Sequence, residues 1–87
     1  MERAEIETRA KRVLLSVLEN LDEATLRPDM NLVEETGADS LDVMEVFLGL
    51  EEEFDVEFPP EVVEEVRTLE QAVAMIDEAV HASPAGA

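Results

Sequence analysis

Ser40-Leu41-Asp42-Val43-Met44-Glu45-Val46-Phe47-Leu48-Gly49-Leu50-Glu51-Glu52-Glu53-Phe54 is the stretch on which the fold turns. No period of two runs through it, so it does not read as a strand. At 100° per residue, Val43, Val46, Phe47, Leu50 and Phe54 fall within about a 100° arc, the width of a helical core stripe. Leu41, Met44 and Leu48 lie on the opposite side, flanked by Glu45, Glu51 and Glu52. A small domain does not bury both sides of one helix, so the second stripe is expected at the surface, framed by carboxylates. Apolar centres rimmed with charge suit a protein partner: buried anchors supply affinity and rim charges supply orientation. Scattered apolar side chains are also ordinary on protein surfaces. Gly49 costs this helix roughly 1 kcal/mol relative to Ala. It borders the exposed side, where a close approach would explain it.

Two further helices flank this one. From Glu5 to Leu21, the residues Ile6, Ala10, Val13, Leu14, Val17, Leu18 and Leu21 recur at steps of three and four, which predicts an amphipathic helix ended near Asn20 and Asp22. Thr68-Leu69-Glu70-Gln71 has the form of a capping box, opening a last helix with the apolar face Leu69, Ala72, Val73, Ile76, Ala79 and Val80. Before it, Phe58-Pro59-Pro60-Glu61 is a stop and then a start, with proline suited to a first turn, so a short helix is expected over 60–66. Residues 22–38 carry the breakers Pro28, Asp29, Asn31 and Gly37 and read as a long loop with at most one helical turn. The expected fold is all-α: three long helices and one short one, an antiparallel four-helix bundle spanned by the first loop. Residues 1–80 form the domain and residues 81–87, with Pro84 and Gly86, a frayed tail.

The 87 residues suffice for one domain. Without cysteine there is no disulfide, thiolate nucleophile or cysteine metal site. No run approaches the ~18 apolar residues of a membrane span, and Met1 to Glu7 lacks the apolar centre of a signal peptide. A cytoplasmic protein is the expectation. Six Lys and Arg stand against 23 Asp and Glu, and between Pro28 and Val66 there are fourteen acids and no base. Nucleic acid and anionic membranes are poor partners for such a surface. Basic proteins are good ones, although an acidic surface also serves solubility alone.

Catalysis is hard to place. A serine nucleophile needs a base within reach, and the only histidine, His81, falls in the expected tail. Ser16 and Ser83 are no better situated. The runs Glu34-Glu35 and Glu51-Glu52-Glu53 lack the spacing of a calcium-binding hand, so no metal site is expected. What remains is Ser40 at a helix start, reached from a loop and accessible to a modifying enzyme. Asp39 or Ser40 is a good N-cap, with Asp42 near N3 or N2. A phosphodiester on Ser40 would sit near the helix's positive end, while serving as the cap would be role enough for a serine.

The words around Ser40 add more. Gly37-Ala38-Asp39-Ser40-Leu41-Asp42, then Leu50-Glu51-Glu52-Glu53-Phe54-Asp55, then Phe58-Pro59 closely resemble the discrete acyl carrier proteins of fatty-acid and polyketide synthesis. The likeness covers residues 3–80 loosely and is most specific from Leu32 to Pro59. It implies an antiparallel four-helix bundle with a short third helix, and no enzymatic activity of its own. Ser40 would receive 4′-phosphopantetheine from coenzyme A through a phosphopantetheinyl transferase. The arm's thiol would then hold acyl groups as thioesters, which accounts for a carrier without cysteine. The resemblance puts the docking of acyltransferases, ketosynthases and other basic-patched synthesis enzymes at Asp39, Leu41, Asp42, Met44, Glu45, Leu48, Glu51 and Glu52. It puts an acyl-chain cavity at Val43, Phe47, Leu50, Val66 and Ile76, and makes the carrier a monomer. Three residues depart from the family's habit: Thr36 for a leucine, Phe47 for a smaller aliphatic residue, and Pro60 for an acid. The absence of Gly-Gly before the serine speaks against peptidyl carriers. An unmodified acidic adaptor for basic partners is the alternative reading, and a cation buffer a weaker one.

Overall fold

Apolar residues at helical spacing, punctuated by caps and prolines, produce an all-helical chain. The computed structural model describes residues 2–82, in the order α1 (Arg3–Val17), α2 (Leu32–Thr36), α3 (Ser40–Phe54), α4 (Pro60–Glu65) and α5 (Leu69–Ala82). The three long helices and the short helix after Pro59 are those expected. The single helical turn allowed for within residues 22–38 is α2. Asn31 caps α2 by accepting from the Glu34 N–H, and Gly37 ends it in the left-handed region at φ 71°. That backbone position favours glycine.

Helix α1 is shorter than its apolar period suggested. It stops at Val17, and Leu18 already has extended dihedrals. Leu18 and Leu21 are nonetheless buried with Ile6, Ala10 and Leu14, because the chain turns inward after the helix ends. The period continued through a bend. At the other end, α5 runs through Ala82, so His81 is helical rather than part of a tail. The remainder of the expected tail, residues 83–87, lies outside the described residues.

The core gathers one face from each long helix. Ile6, Leu14, Leu50, Leu69 and Ile76 are its largest fully enclosed side chains, and α1 packs against both α3 and α5. Each such burial contributes about 1.5–3 kcal/mol. Beside the middle of α3, Phe47 and Phe58 meet edge-to-face, with centroids 6.0 Å apart and planes at 82°. The Arg9 guanidinium ties α1 to the end of α3: Nε lies 2.6 Å from Glu53 Oε2, Nη2 donates to Glu53 O, and the group stands 5.0 Å from the Phe54 ring centroid.

Gly49 is explained by the same packing. A Cβ built on it would lie 2.9 Å from Val13 Cγ1, so glycine lets α3 approach α1. It serves an internal helix contact rather than the exposed face. The long connection after α1 is strapped to the other end of the chain by two backbone bonds, Leu32 N–H to Arg67 O and Glu70 N–H to Pro28 O. Thr36 is buried, its hydroxyl donating to Leu32 O at 2.6 Å and accepting from the Ala38 N–H. Where leucine would only fill space, this threonine fixes the turn that delivers Asp39 and Ser40.

Candidate functional site

Helix α3 begins with a division of labour between two neighbours. Asp39 is the N-cap: its carboxylate accepts from the Asp42 N–H at 2.9 Å, and the Asp42 carboxylate accepts from the Asp39 N–H at 3.3 Å. This reciprocal box satisfies two of the amides that a helix start leaves open. Ser40 is therefore the first helical residue and not the cap. It is exposed, and its hydroxyl forms no hydrogen bond among the described residues. The paired carboxylates of Asp39 and Asp42 already occupy the helix's positive end. They leave less of that field for a phosphodiester than the sequence alone suggested.

No general base reaches Ser40 among the described residues. His81 lies on α5, with Nδ1 2.8 Å from both the carbonyl oxygen and a carboxylate oxygen of Asp77. Ser16 is turned back onto α1, donating to Val13 O. The geometry suits a hydroxyl that is acted upon by another enzyme. A covalent arm joined through oxygen needs only such a free, accessible atom at a fixed place, and Ser40 provides it.

The outer face of α3 carries Leu41, Met44 and Leu48 at 62, 58 and 55% exposure, the large apolar residues most open to solvent. Val46, Phe47, Leu50 and Phe54 are buried on its inner face, and Val43 is half-buried between the two. Around the outer stripe the carboxylates differ in what they do. Asp39 and Asp42 hold the cap. Glu51 Oε2 accepts from the Phe58 N–H at 2.8 Å and so braces the turn into α4. Glu45 and Glu52 are exposed, with no hydrogen bond or ion pair among the described residues.

Ser40 opens onto a cleft of about 620 Å³ between α3 and α4. Val33, Val43, Met44, Phe47 and Val63 form much of its apolar wall, with Phe58 and Arg67 also lining it. A second space, an interior void of only about 40 Å³, is lined by Val43, Phe47, Leu50 and Val66 among others. These four had been expected around an acyl chain. Ile76, the fifth, lines neither space and is fully buried in the core. Val33, Ala38, Val43, Phe47 and Arg67 border both spaces. Val33, Val63 and Arg67 escaped the sequence reading because they sit in short or irregular segments without a usable period. Arg67 alone carried a signal, as the one base after Arg27.

No described helix is long and apolar enough to cross a membrane, and no trio of described His, Cys, Asp or Glu residues is arranged to hold a metal ion. The free serine, its capped helix and the neighbouring cleft agree with what comparison of the sequence finds. Residues 11–76 match the family described as the phosphopantetheine attachment site, whose members hold 4′-phosphopantetheine covalently. With some three quarters of its length matched, this small carrier chain belongs to the phosphopantetheine attachment site family.

Proposed function

We propose that this carrier holds acyl intermediates as thioesters on a 4′-phosphopantetheine arm joined to Ser40, and presents them to enzymes of fatty-acid or polyketide synthesis. The observation that carries the assignment to Ser40 is its unengaged, exposed hydroxyl at the first position of α3, released from capping by Asp39. The arm supplies the thiol this chain lacks. The chain's own residues do three things: Asp39 and Asp42 fix the helix start, the outer face of α3 receives the partner, and the cleft offers the cargo an apolar wall. Leu41, Met44 and Leu48 serve as anchors, and the carboxylates around them orient partners that present Lys and Arg. Catalysis is left to those partners.

The cleft, rather than the interior, is the resting place we assign to the cargo. The second space offers only about 40 Å³, whereas the cleft of about 620 Å³ is open beside Ser40. Incubation with coenzyme A, magnesium and a broad-specificity phosphopantetheinyl transferase should add one phosphopantetheine to the intact mass of the folded protein. Ser40→Ala should abolish the addition. An unchanged wild-type mass would remove the carrier reading, and an addition that survives Ser40→Ala would move the site.

A further inference from the structure

Arg67 is an exposed cation in the connection between α4 and α5, in a chain of formal charge −17. Arg3, Arg9, Lys11 and Arg27 each stand against a carboxylate. Arg67 forms no ion pair among the described residues, although Glu64 and Glu65 precede it and Glu70 follows. Its guanidinium donates one hydrogen bond, from Nη1 to Val66 O at 2.9 Å, which leaves most of its donors unused. Its backbone, by contrast, is fixed on both sides. The N–H donates to Gln71 Oε1 at 2.7 Å, and the carbonyl accepts from the Leu32 N–H at 2.8 Å. The root of the side chain is held while its charged end stays free.

Its position gives that freedom a use. Arg67 lines the cleft that Ser40 lines, and it also lines the interior void, which Ser40 does not reach. Three acids share the cleft with it: Glu51 gives an oxygen to the Phe58 N–H, Asp39 one to the cap, and Glu64 forms no ion pair among the described residues. Arg67 is the single cation in a wall that is otherwise mostly apolar. A guanidinium presents a planar fork that matches a carboxylate with two parallel hydrogen bonds. The arm's own phosphodiester is an anion too, but it is rooted at Ser40 between Asp39 and Asp42. The end of the cargo is what can travel on to Arg67.

We propose that Arg67 is a specificity-determining residue of this carrier, favouring acyl chains that end in a carboxylate over plain alkyl chains of the same length. The proposal rests on the carrier reading above. Because the guanidinium is exposed, its preference is expected to be about two- to fivefold and to weaken in salt.

The test loads the full chain with glutaryl- or pentanoyl-phosphopantetheine from the matching acyl coenzyme A, with loading confirmed by intact mass. Hydroxylamine cleavage of each thioester is then timed against the same thioester on free pantetheine. In the wild type the glutaryl form should be protected about two- to fivefold more than the pentanoyl form. Arg67→Gln should erase that difference, and Arg67→Lys should keep part of it. Circular dichroism checks that both variants are folded, and Arg67→Lys keeps the comparison informative if Arg67→Gln is not. Equal protection in the wild type, or protection that survives Arg67→Gln, overturns the assignment. A change in the phosphorus resonance of the unacylated holo protein on Arg67→Gln, with no cargo dependence, would make the phosphodiester the ligand and also overturn it. Failure of the mass to increase removes the carrier reading itself, and this proposal with it.

Discussion

Gly49→Ala tests the packing of α3 on α1 where two effects oppose each other. Alanine in the middle of a helix is favoured over glycine by about 1 kcal/mol, so an exposed Gly49 should be improved by the change. The new methyl, however, would stand 2.9 Å from Val13 Cγ1. Valine is stiff at χ1 and cannot rotate away cheaply, and over-filling a packed contact costs about 1–3 kcal/mol. The clash outweighs the propensity. The net loss is about 1 kcal/mol, or a melting temperature lower by about 4–8 °C for a domain of this size. Thermal unfolding followed by circular dichroism measures it. A double-mutant cycle isolates the cause: with Val13→Ala in place the obstructing methyl is gone, and Gly49→Ala should become neutral or stabilising. A wild-type background in which Gly49→Ala melts at or above the parent, unaltered by Val13→Ala, would refute the helix contact as the reason for glycine.

Asp39→Ala removes a side chain that accepts from the Asp42 N–H and should lower the urea midpoint by the equivalent of about 0.5–2 kcal/mol; an unmoved midpoint would mean that the box contributes nothing. Raising ionic strength should raise the melting temperature, because a formal charge of −17 repels itself and salt screens it; a flat response between low salt and about 0.5 M would exclude self-repulsion as a stability cost. Glu45→Lys with Glu52→Lys should slow transferase loading at low salt on the order of tenfold, with the gap narrowing as salt rises. Identical loading rates for parent and variant would move the docking face off α3.

The long helices were legible because amphipathic periods, a capping box and a proline each have one physical meaning. The exposed line of Leu41, Met44 and Leu48 could be inferred from α3 alone, since a chain of 87 residues has little structure with which to cover both sides of that helix. What could not be read depends on neighbours distant in sequence. The end of α1 at Val17 left no mark because Leu18 and Leu21 stay on period while the backbone departs from the helix. The place of helix α2 was hidden by its length: five residues are too few to show a period. The cleft is built by α3 together with residues from the connection and from α4, so its wall is spread over segments that carry no joint pattern. Gly49 was read as bordering the surface because an angle on a helical wheel does not say which helix stands opposite.

The sequence presented the acids of α3 as one surface, and the structure sorts them by what they already hold. Asp39 and Asp42 satisfy each other's amides, Glu51 satisfies Phe58, and Glu53 satisfies Arg9. All four belong to the acidic surface, but their directional bonding is partly spent inside the fold. A partner's Arg or Lys that bonded one of them fully would have to compete with a helix cap, a turn or an interhelical clamp. Glu45 and Glu52 carry no such obligation, and they stand in sequence beside Met44 and before the end of the helix, bracketing Leu48. On the docking face proposed above, long-range attraction would belong to the whole acidic surface, while close recognition would concentrate on two carboxylates and three apolar side chains. The same rim bears on self-association. Two copies meeting through this stripe would bring like charges together, a juxtaposition that costs several kcal/mol. An exposed apolar stripe flanked along its own helix by acids would thus be selective by repulsion as well as attraction: open to a basic enzyme and unfavourable to its own kind.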